Sequence, residues 1–487
     1  MMSSFFDITK DSKEIFKDTK IVETEYISEM NQYPTIFISF ANAKNDKWNV
    51  VKEIKLQLRK EYDRYAHLFE QKMTVFEQNE YESLVQGLMT KNDGLLDNIT
   101  DALSFLMERL EKYYHKKVMV FIDEYDTPFI EAHVGGYYEE LRGGLSSLLH
   151  NALKTSTSLH YAMMTGIQRV AKENIFSDLN NLVVCTVKDP EYSQYFGFKE
   201  ETKQTLEYYD LSFNDEVKSM YDGYHFGEHD IYNPWSILNY ASRKVLEPYW
   251  VNTSSNTMIK KAISSSDEAF ERGYEELIRN GKLETTVKMD TSFFEVNNTE
   301  NLWGLLVNAG YLTLHKTISI QDSLYIIKIP NQEVQLEFRK LTAYHLKATE
   351  TDLTVLFNSL KRCKKEDFED RYRKILLTLP SYHDLKDENS YHMMSLGMCA
   401  WLSNEYEVIS NREVGKGRCD IILKSKKNQI SYILEFKYTN DSSVDLKQLA
   451  KSAIDQINSR RYDSELSGTV IRIGLAHYQK NVEIEWQ

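Results

Sequence analysis

Short apolar runs and polar stretches of helical period alternate along the first part of the chain. Thr35-Ile36-Phe37-Ile38-Ser39-Phe40 follows Pro34 and predicts a strand. A long polar stretch from Trp48 to Tyr113 predicts helix. Val118-Met119-Val120-Phe121-Ile122 is a continuous apolar run closed by Asp123-Glu124. A run of that length without alternation predicts a strand covered on both faces, as in a parallel sheet. His160 to Gly166 predicts a further strand ending in a loop, and strands alternating with helices predict a doubly wound sheet. Tyr221 to Gly227 and Tyr232 to Ser236 mix glycine, proline and aromatics, which predicts an ordered, aromatic-packed loop. Residues 252–346 read as mostly helical, with one hairpin formed by Tyr311–Leu314 and Tyr325–Ile329, and residues 348–379 read as a helical connector.

The last hundred residues carry the clearest pattern. Tyr391 to Leu402 predicts an apolar helix. Cys419–Leu423 and Tyr432–Phe436 predict two strands joined by the polar turn Ser425–Gln429, that is, a hairpin. Leu446, Leu449, Ala450, Ala453, Ile454 and Ile457 fall on one face of a helix, and Val470–Leu475 predicts a final strand. Strand side chains alternate faces, so Glu435 and Lys437 share one face while Leu434 and Phe436 take the other. Asp420 opens the preceding strand, and pairing can bring it beside Glu435. Two carboxylates converging there suit Mg²⁺, and an adjacent ammonium suits a phosphoryl centre that gains negative charge. The bland alternative is a solvated ion-pair face, which acids and bases two apart on a strand also form.

Composition narrows the classes. The chain has 487 residues, 42% hydrophobic and 27% charged, with a net charge of −14 and a mean hydropathy of −0.50. Those values fit a folded protein with several cores. No apolar run reaches the ~20 residues that span a bilayer, so no membrane partner is expected. Four cysteines without a Cys-x-x-Cys pattern and no export signal at Met1–Asp7 predict reduced thiols and a cytoplasmic location. The acidic balance restricts any nucleic-acid contact to a local patch. Arg412, Lys416, Arg418, Lys424, Lys426 and Lys427 around the hairpin, with Arg460 and Arg461, offer one.

Gly417-Arg418-Cys419-Asp420-Ile421-Ile422-Leu423 followed by Tyr432-Ile433-Leu434-Glu435-Phe436-Lys437 resembles the core of the PD-(D/E)XK nuclease superfamily, in the form attached to bacterial AAA-ATPase-like proteins. The resemblance covers about residues 381–478. It implies that Asp420 and Glu435 hold the metal, with Glu388 as a further carboxylate, and that Lys437 assists catalysis. Gln456 and Tyr462 fall where related domains carry a helix Gln and a Tyr. Upstream, Phe121-Ile122-Asp123-Glu124-Tyr125-Asp126-Thr127-Pro128 resembles the AAA-ATPase-like signature, with Thr165-Gly166-Ile167-Gln168-Arg169-Val170, Asn180-Asn181-Leu182, Tyr195-Phe196-Gly197-Phe198, Tyr221-Asp222-Gly223-Tyr224 and Tyr232-Asn233-Pro234-Trp235-Ser236 following in the same order. That likeness implies a Walker B role for Asp123 and Glu124, a sensor position for Thr165, and a nucleotide-facing or subunit-facing Arg169.

A phosphate loop, Gly-x-x-x-x-Gly-Lys-Ser/Thr, is missing from the sequence. In the family it lies upstream of the segment that Met1–Ile21 resembles, so this chain is expected to bind ATP poorly or not at all. His225 and His229 lie four apart, but the glycines around them argue against a helical zinc pair. The resulting expectation is an α/β chain of four parts. Residues 1–250 form an incomplete P-loop AAA-type parallel-sheet domain, 251–345 a helical or winged lid, 346–380 a helical connector, and 381–487 a PD-(D/E)XK nuclease-like α/β domain. The expected activity is Mg²⁺-dependent hydrolysis of nucleic-acid phosphodiesters. A non-catalytic nucleic-acid or protein-binding module and a truncated form of an active ATPase are the alternatives, and self-association is left open.

Overall fold

The computed structural model describes residues 1–90, 96–167, 181–250, 267–289, 298–345, 349–378, 391, 394–395, 398–402, 405–414, 417–427 and 429–487. The chain divides into two units, one built on residues 1–184 and the other on residues 185–288 and 297–487. This division falls well upstream of the boundary expected near residue 250.

In the first unit, β1 (Thr35–Ser39), β2 (Val118–Asp123) and β3 (Leu159–Met164) form a parallel sheet in the order β1-β2-β3. The apolar run of β2 takes the central place, and Val118 to Ile122 are all buried. The expected long helical stretch is broken into Lys47–Arg64, a 3-10 turn at Ala66–Glu70, Val75–Met89 and Ala102–Tyr114. The break has a local cause. Thr74 and Glu77 form a reciprocal capping box, which starts a new helix at Val75. Helix Ala102–Tyr114 buries Leu103, Leu106 and Leu110 and ends at His115 in the left-handed conformation.

In the second unit, helices Glu200–Tyr208 and Asp215–Tyr221 precede a two-stranded hairpin, β4 (Tyr224–Phe226) and β5 (His229–Ile231), turned at Gly227 with φ +54°. Helix Pro234–Arg243 follows, capped by Asn233 with Pro234 in its first turn. Tyr221, Tyr232, Ile237 and Tyr240 form an aromatic-rich core, as the sequence pattern implies. Next comes an antiparallel sheet in the order β6-β8-β7, made of β6 (Lys282–Thr286), β7 (Thr313–Ser319) and β8 (Leu324–Lys328). β6 corrects the helical expectation for this stretch. Gly281, at φ +68°, stops helix Glu268–Asn280, and Leu283 then pairs with Ile327. The hairpin β7–β8 matches the expected one.

The terminal part is a five-stranded mixed sheet, β13-β12-β11-β10-β9, formed by β9 (Tyr406–Val414), β10 (Gly417–Ser425), β11 (Ile430–Tyr438), β12 (Thr469–Tyr478) and β13 (Asn481–Trp486). β10 and β11 are the expected hairpin, in register Ile421↔Leu434 and Ile422↔Ile433. β11 and β12 run parallel and are joined through helix Leu446–Arg460, because a parallel pair needs a crossover. One face of the sheet buries Ile421, Leu423, Tyr432, Leu434 and Phe436 in a core shared with Leu353, Leu356, Phe357, Tyr372, Ile375 and Leu376. The helices expected to be a connector, Glu350–Lys361 and Lys365–Thr378, therefore supply about a third of this core's buried residues. At ~1.5–3 kcal/mol for each fully buried large apolar side chain, they are integral to the terminal fold. On the opposite face, Ile422 and Ile433 pack with Ile454 and Ile457 of helix Leu446–Arg460 and with Tyr462 just beyond it.

Candidate functional site

The carboxylate cluster of the terminal sheet follows from the hairpin register. Ile421 opposite Leu434 puts Asp420 level with Glu435, and there the backbone ladder stops. Side chains take over the freed amides. The Phe436 amide donates to Asp420 Oδ2 at 2.8 Å, and the Asp420 amide lies 3.4 Å from Glu435 Oε2. Glu435 is 1% exposed. A carboxylate that far from water needs donors, and two further side chains supply them. Gln456 Nε2 donates to Glu435 Oε1. Lys437 Nζ lies 3.6 Å from the same oxygen and donates to the Phe436 carbonyl at 3.0 Å. Gln456 also reaches the Tyr462 hydroxyl at 3.3 Å.

Helix Leu446–Arg460 can deliver Gln456 because its inner face is small. Asp445 caps it, accepting from the Lys447 amide at 2.9 Å. Ala450 and Ala453 then meet β12 at Gly474, where an added Cβ would lie 2.2 Å from the Ala450 carbonyl oxygen. Gly474 is the β12 partner of Glu435, so the closest helix–sheet approach falls directly beside the buried carboxylate. The glycine inside Ile473-Gly474-Leu475 was the readable signal for this approach.

Negative charge leaves its mark on the neighbours. Burial, reinforced by Glu435 and Asp420, pushes the Cys419 thiol far up, so it stays protonated. Burial also raises the Tyr462 hydroxyl, with Glu435 and Asp420 adding to the effect and the Gln456 hydrogen bond opposing it. The oxygen donors available to a cation are the two carboxylates and the Phe436 carbonyl, with no thiolate competing. That set fits a hard divalent ion that keeps part of its water shell. Among the described residues no group of three or more His, Cys, Asp or Glu converges as a metal cage.

Other expected members fall differently. Glu388 lies outside the described residues, as do the side chains of Arg412, Lys416 and Arg418. Lys426 and Lys427 sit at the turn end of the hairpin, about 20 Å of extended strand from Asp420, and Lys424 lies 3.9 Å from Glu407. Of the basic residues expected around the hairpin, the described Lys424, Lys426 and Lys427 thus lie towards its turn. Arg460 lies nearer, its Cδ 3.3 Å from where a Gly417 Cβ would be.

In the first unit, Asp123 closes β2 and accepts the Thr165 hydroxyl at 2.6 Å. Backbone bonds from Thr165 N to Ile122 O and from Tyr125 N to Thr165 O lock the two strand ends together. Glu124 sits at φ +51°, and its carboxylate accepts from Thr127 Oγ1 at 3.0 Å, next to the start of helix Thr127–Gly135. Asp126, which carried no separate expectation, is 2% exposed and accepts the Ile167 amide at 3.0 Å. Arg169 lies outside the described residues.

Comparison with known proteins finds a family match in each of these two regions. A family model described as a predicted AAA-ATPase matches residues 1–176, and a model of the PD-(D/E)XK nuclease superfamily matches residues 386–487. The chain joins an AAA-ATPase-like domain to a PD-(D/E)XK nuclease-superfamily domain. Asp123, Glu124 and Thr165 fall within the AAA-ATPase-like match, and Asp420, Glu435, Lys437 and Gln456 within the nuclease-superfamily match. The chain is also 28% identical over 224 residues to an uncharacterized protein of the vnfD 5′ region of Azotobacter chroococcum mcd 1. That similarity covers 45% of this chain and 42% of the relative, less than half of either. No solved structure matches the chain. No helix among the described residues is long and apolar enough to cross a membrane, and all four cysteines are free thiols.

Proposed function

We propose that the PD-(D/E)XK domain hydrolyses nucleic-acid phosphodiesters with Mg²⁺, and that the observation carrying this reading is the buried Glu435 joined to Asp420 across the open end of the hairpin. Asp420, Glu435 and the Phe436 carbonyl would hold the ion. A hard divalent cation at such a site supplies Lewis-acid polarisation of the phosphoryl group. The chain's own residues do the rest. Gln456 fixes the rotamer of Glu435 through Oε1. Lys437, 19% exposed, keeps its ammonium beside Glu435 and offsets negative charge developing on phosphoryl oxygens. In the AAA-ATPase-like domain, the Thr165–Asp123 hydrogen bond supports a Walker B and sensor reading for those two residues.

The test uses the full chain with labelled DNA and RNA, single- and double-stranded, in MgCl₂. Cleavage should stop on chelation, and should stop in Glu435→Gln and Lys437→Ala. Calorimetric Mg²⁺ titration should lose its saturable signal in Asp420→Asn. Cleavage that persists in Glu435→Gln would remove the assignment. Salt-sensitive nucleic-acid binding with no cleavage in any divalent metal would turn the domain into a recognition module.

A further inference from the structure

We infer that a cleft in the second unit, between helix Asp215–Tyr221, the end of helix Glu268–Asn280 and the start of helix Gln332–His345, binds a phosphate-bearing small molecule. The cleft measures about 430 Å³, within the size range of small-molecule pockets and several times larger than a bare phosphate ion.

Asn331 carries the argument. It lines the cleft and is 8% exposed. Its Oδ1 caps helix Gln332–His345 by accepting from the Val334 amide at 3.0 Å. That bond fixes which way the amide points, because a flipped group would set an N–H against an N–H. The Nδ2 donor is therefore committed to the other side, where it is buried and has no partner among the described residues. A buried donor held in one orientation calls for an acceptor.

The surrounding charge says which kind. Lys218 and Lys328 line the same cleft. Lys328 stands directly across the β6–β8 ladder from Lys282, and like charges placed opposite one another repel. The cleft's one acid, Asp222, is engaged by the Tyr232 hydroxyl. The 14-residue helix Gln332–His345 adds the positive end of its dipole at Asn331. A phosphoryl group has enough acceptor oxygens to take the amide donor and ammonium groups together, whereas a carboxylate has two. Leu277 and Phe338 supply an apolar wall for whatever the phosphate is attached to. Gly223 stabilises the floor. At φ +119° it packs so closely on Pro330 that a Cβ would lie 2.0 Å from the Pro330 carbonyl oxygen.

The experiment is isothermal titration of the full chain, without divalent metal, with inorganic phosphate, AMP, UMP, and the nucleosides adenosine and uridine. Saturable binding of phosphate or of a mononucleotide is expected. Equal affinity for both identifies free phosphate as the ligand, and tighter mononucleotide binding identifies a phosphomonoester. Asn331→Asp keeps the helix cap but replaces the donor with an acidic oxygen, and should weaken binding about tenfold or more. Lys328→Met should weaken it as well, and Glu435→Gln should leave it unchanged. The inference fails if no probe binds at millimolar concentration, if nucleosides bind as tightly as nucleotides, or if both cleft variants keep full affinity.

Discussion

Replacing Gly474 with alanine tests how the helix Leu446–Arg460 holds the candidate nuclease site. The new Cβ would sit 2.2 Å from the Ala450 carbonyl oxygen and 3.1 Å from the Ala453 Cβ. The first obstacle is backbone and cannot rotate away, so the helix must retreat by about 1 Å to restore ordinary contact. Over-packing of this kind costs about 1–3 kcal/mol, and a fixed carbonyl points to the upper end. At about 2–4 °C for each kcal/mol in units of this size, the melting transition of the terminal fold should fall by about 6–12 °C. The same retreat draws Gln456 off Glu435 and leaves a carboxylate of 1% exposure short of a donor. Differential scanning calorimetry measures the shift, and Gly143→Ala is the control. Gly143 lies in helix Tyr138–His150 with nothing within 4 Å of an added Cβ, so there alanine should stabilise by about 0.5–1 kcal/mol. A Gly474→Ala variant that melts with the wild type would refute the seating of the helix on β12.

Two further outcomes can be checked directly. Glu333 is fully buried and accepts from the Ser236 hydroxyl and from the amides of Tyr249 and Trp250, so Glu333→Ala strands three donors and should cost about 3 kcal/mol or more in urea unfolding. His477 is fully buried against Tyr391 and Tyr372, and burial lowers its pKa from 6.5 to about 3. The unfolded chain therefore binds the extra proton first as pH falls, and stability contributed by neutral His477 is full above about 6.5 and is lost between there and about 3. His477→Leu should flatten that part of a stability–pH profile, and an unchanged slope between pH 6.5 and 4 would count against the burial account.

The sequence patterns were most legible where one face of a strand or helix meets a core. β2 announced itself through five consecutive apolar residues, and the β10–β11 hairpin through a polar turn between two apolar strands. Edge strands were harder. β9 carries Asn411, Arg412 and Glu413, and β13 carries Asn481, Glu483 and Glu485. Each pairs on one side only, and edge strands tolerate charge that hides their period. β6 depends on a partner about forty residues away, Leu283 with Ile327, which no local window contains. The helices Glu350–Lys361 and Lys365–Thr378 had readable apolar faces, but periodicity gives a face without saying what it packs against. In the candidate site, alternation put Glu435 and Lys437 on one face, yet the place of Gln456 depended on Gly474, a residue without a side chain.

Burial bears on the two meanings that the acid–base spacing of β11 left open. A solvated ion-pair face would expose both partners to water, where such pairs contribute about 0–1 kcal/mol. Here the Glu435 side chain is 2% exposed and that of Lys437 19%. Taking a carboxylate out of water costs several kcal/mol, and a buried ion pair often fails to recover that cost relative to an apolar pair of the same volume. The neighbouring strand positions are apolar: Leu434, Phe436 and Ile433 are all buried. An apolar residue at position 435 would suit that packing better than glutamate. A stability argument therefore gives no reason for this acid, for its hydrogen bond to Gln456, or for the Asp420 level with it. A role in holding a cation and a phosphoryl group does give one, and it is the reading that the geometry of the open hairpin end supports.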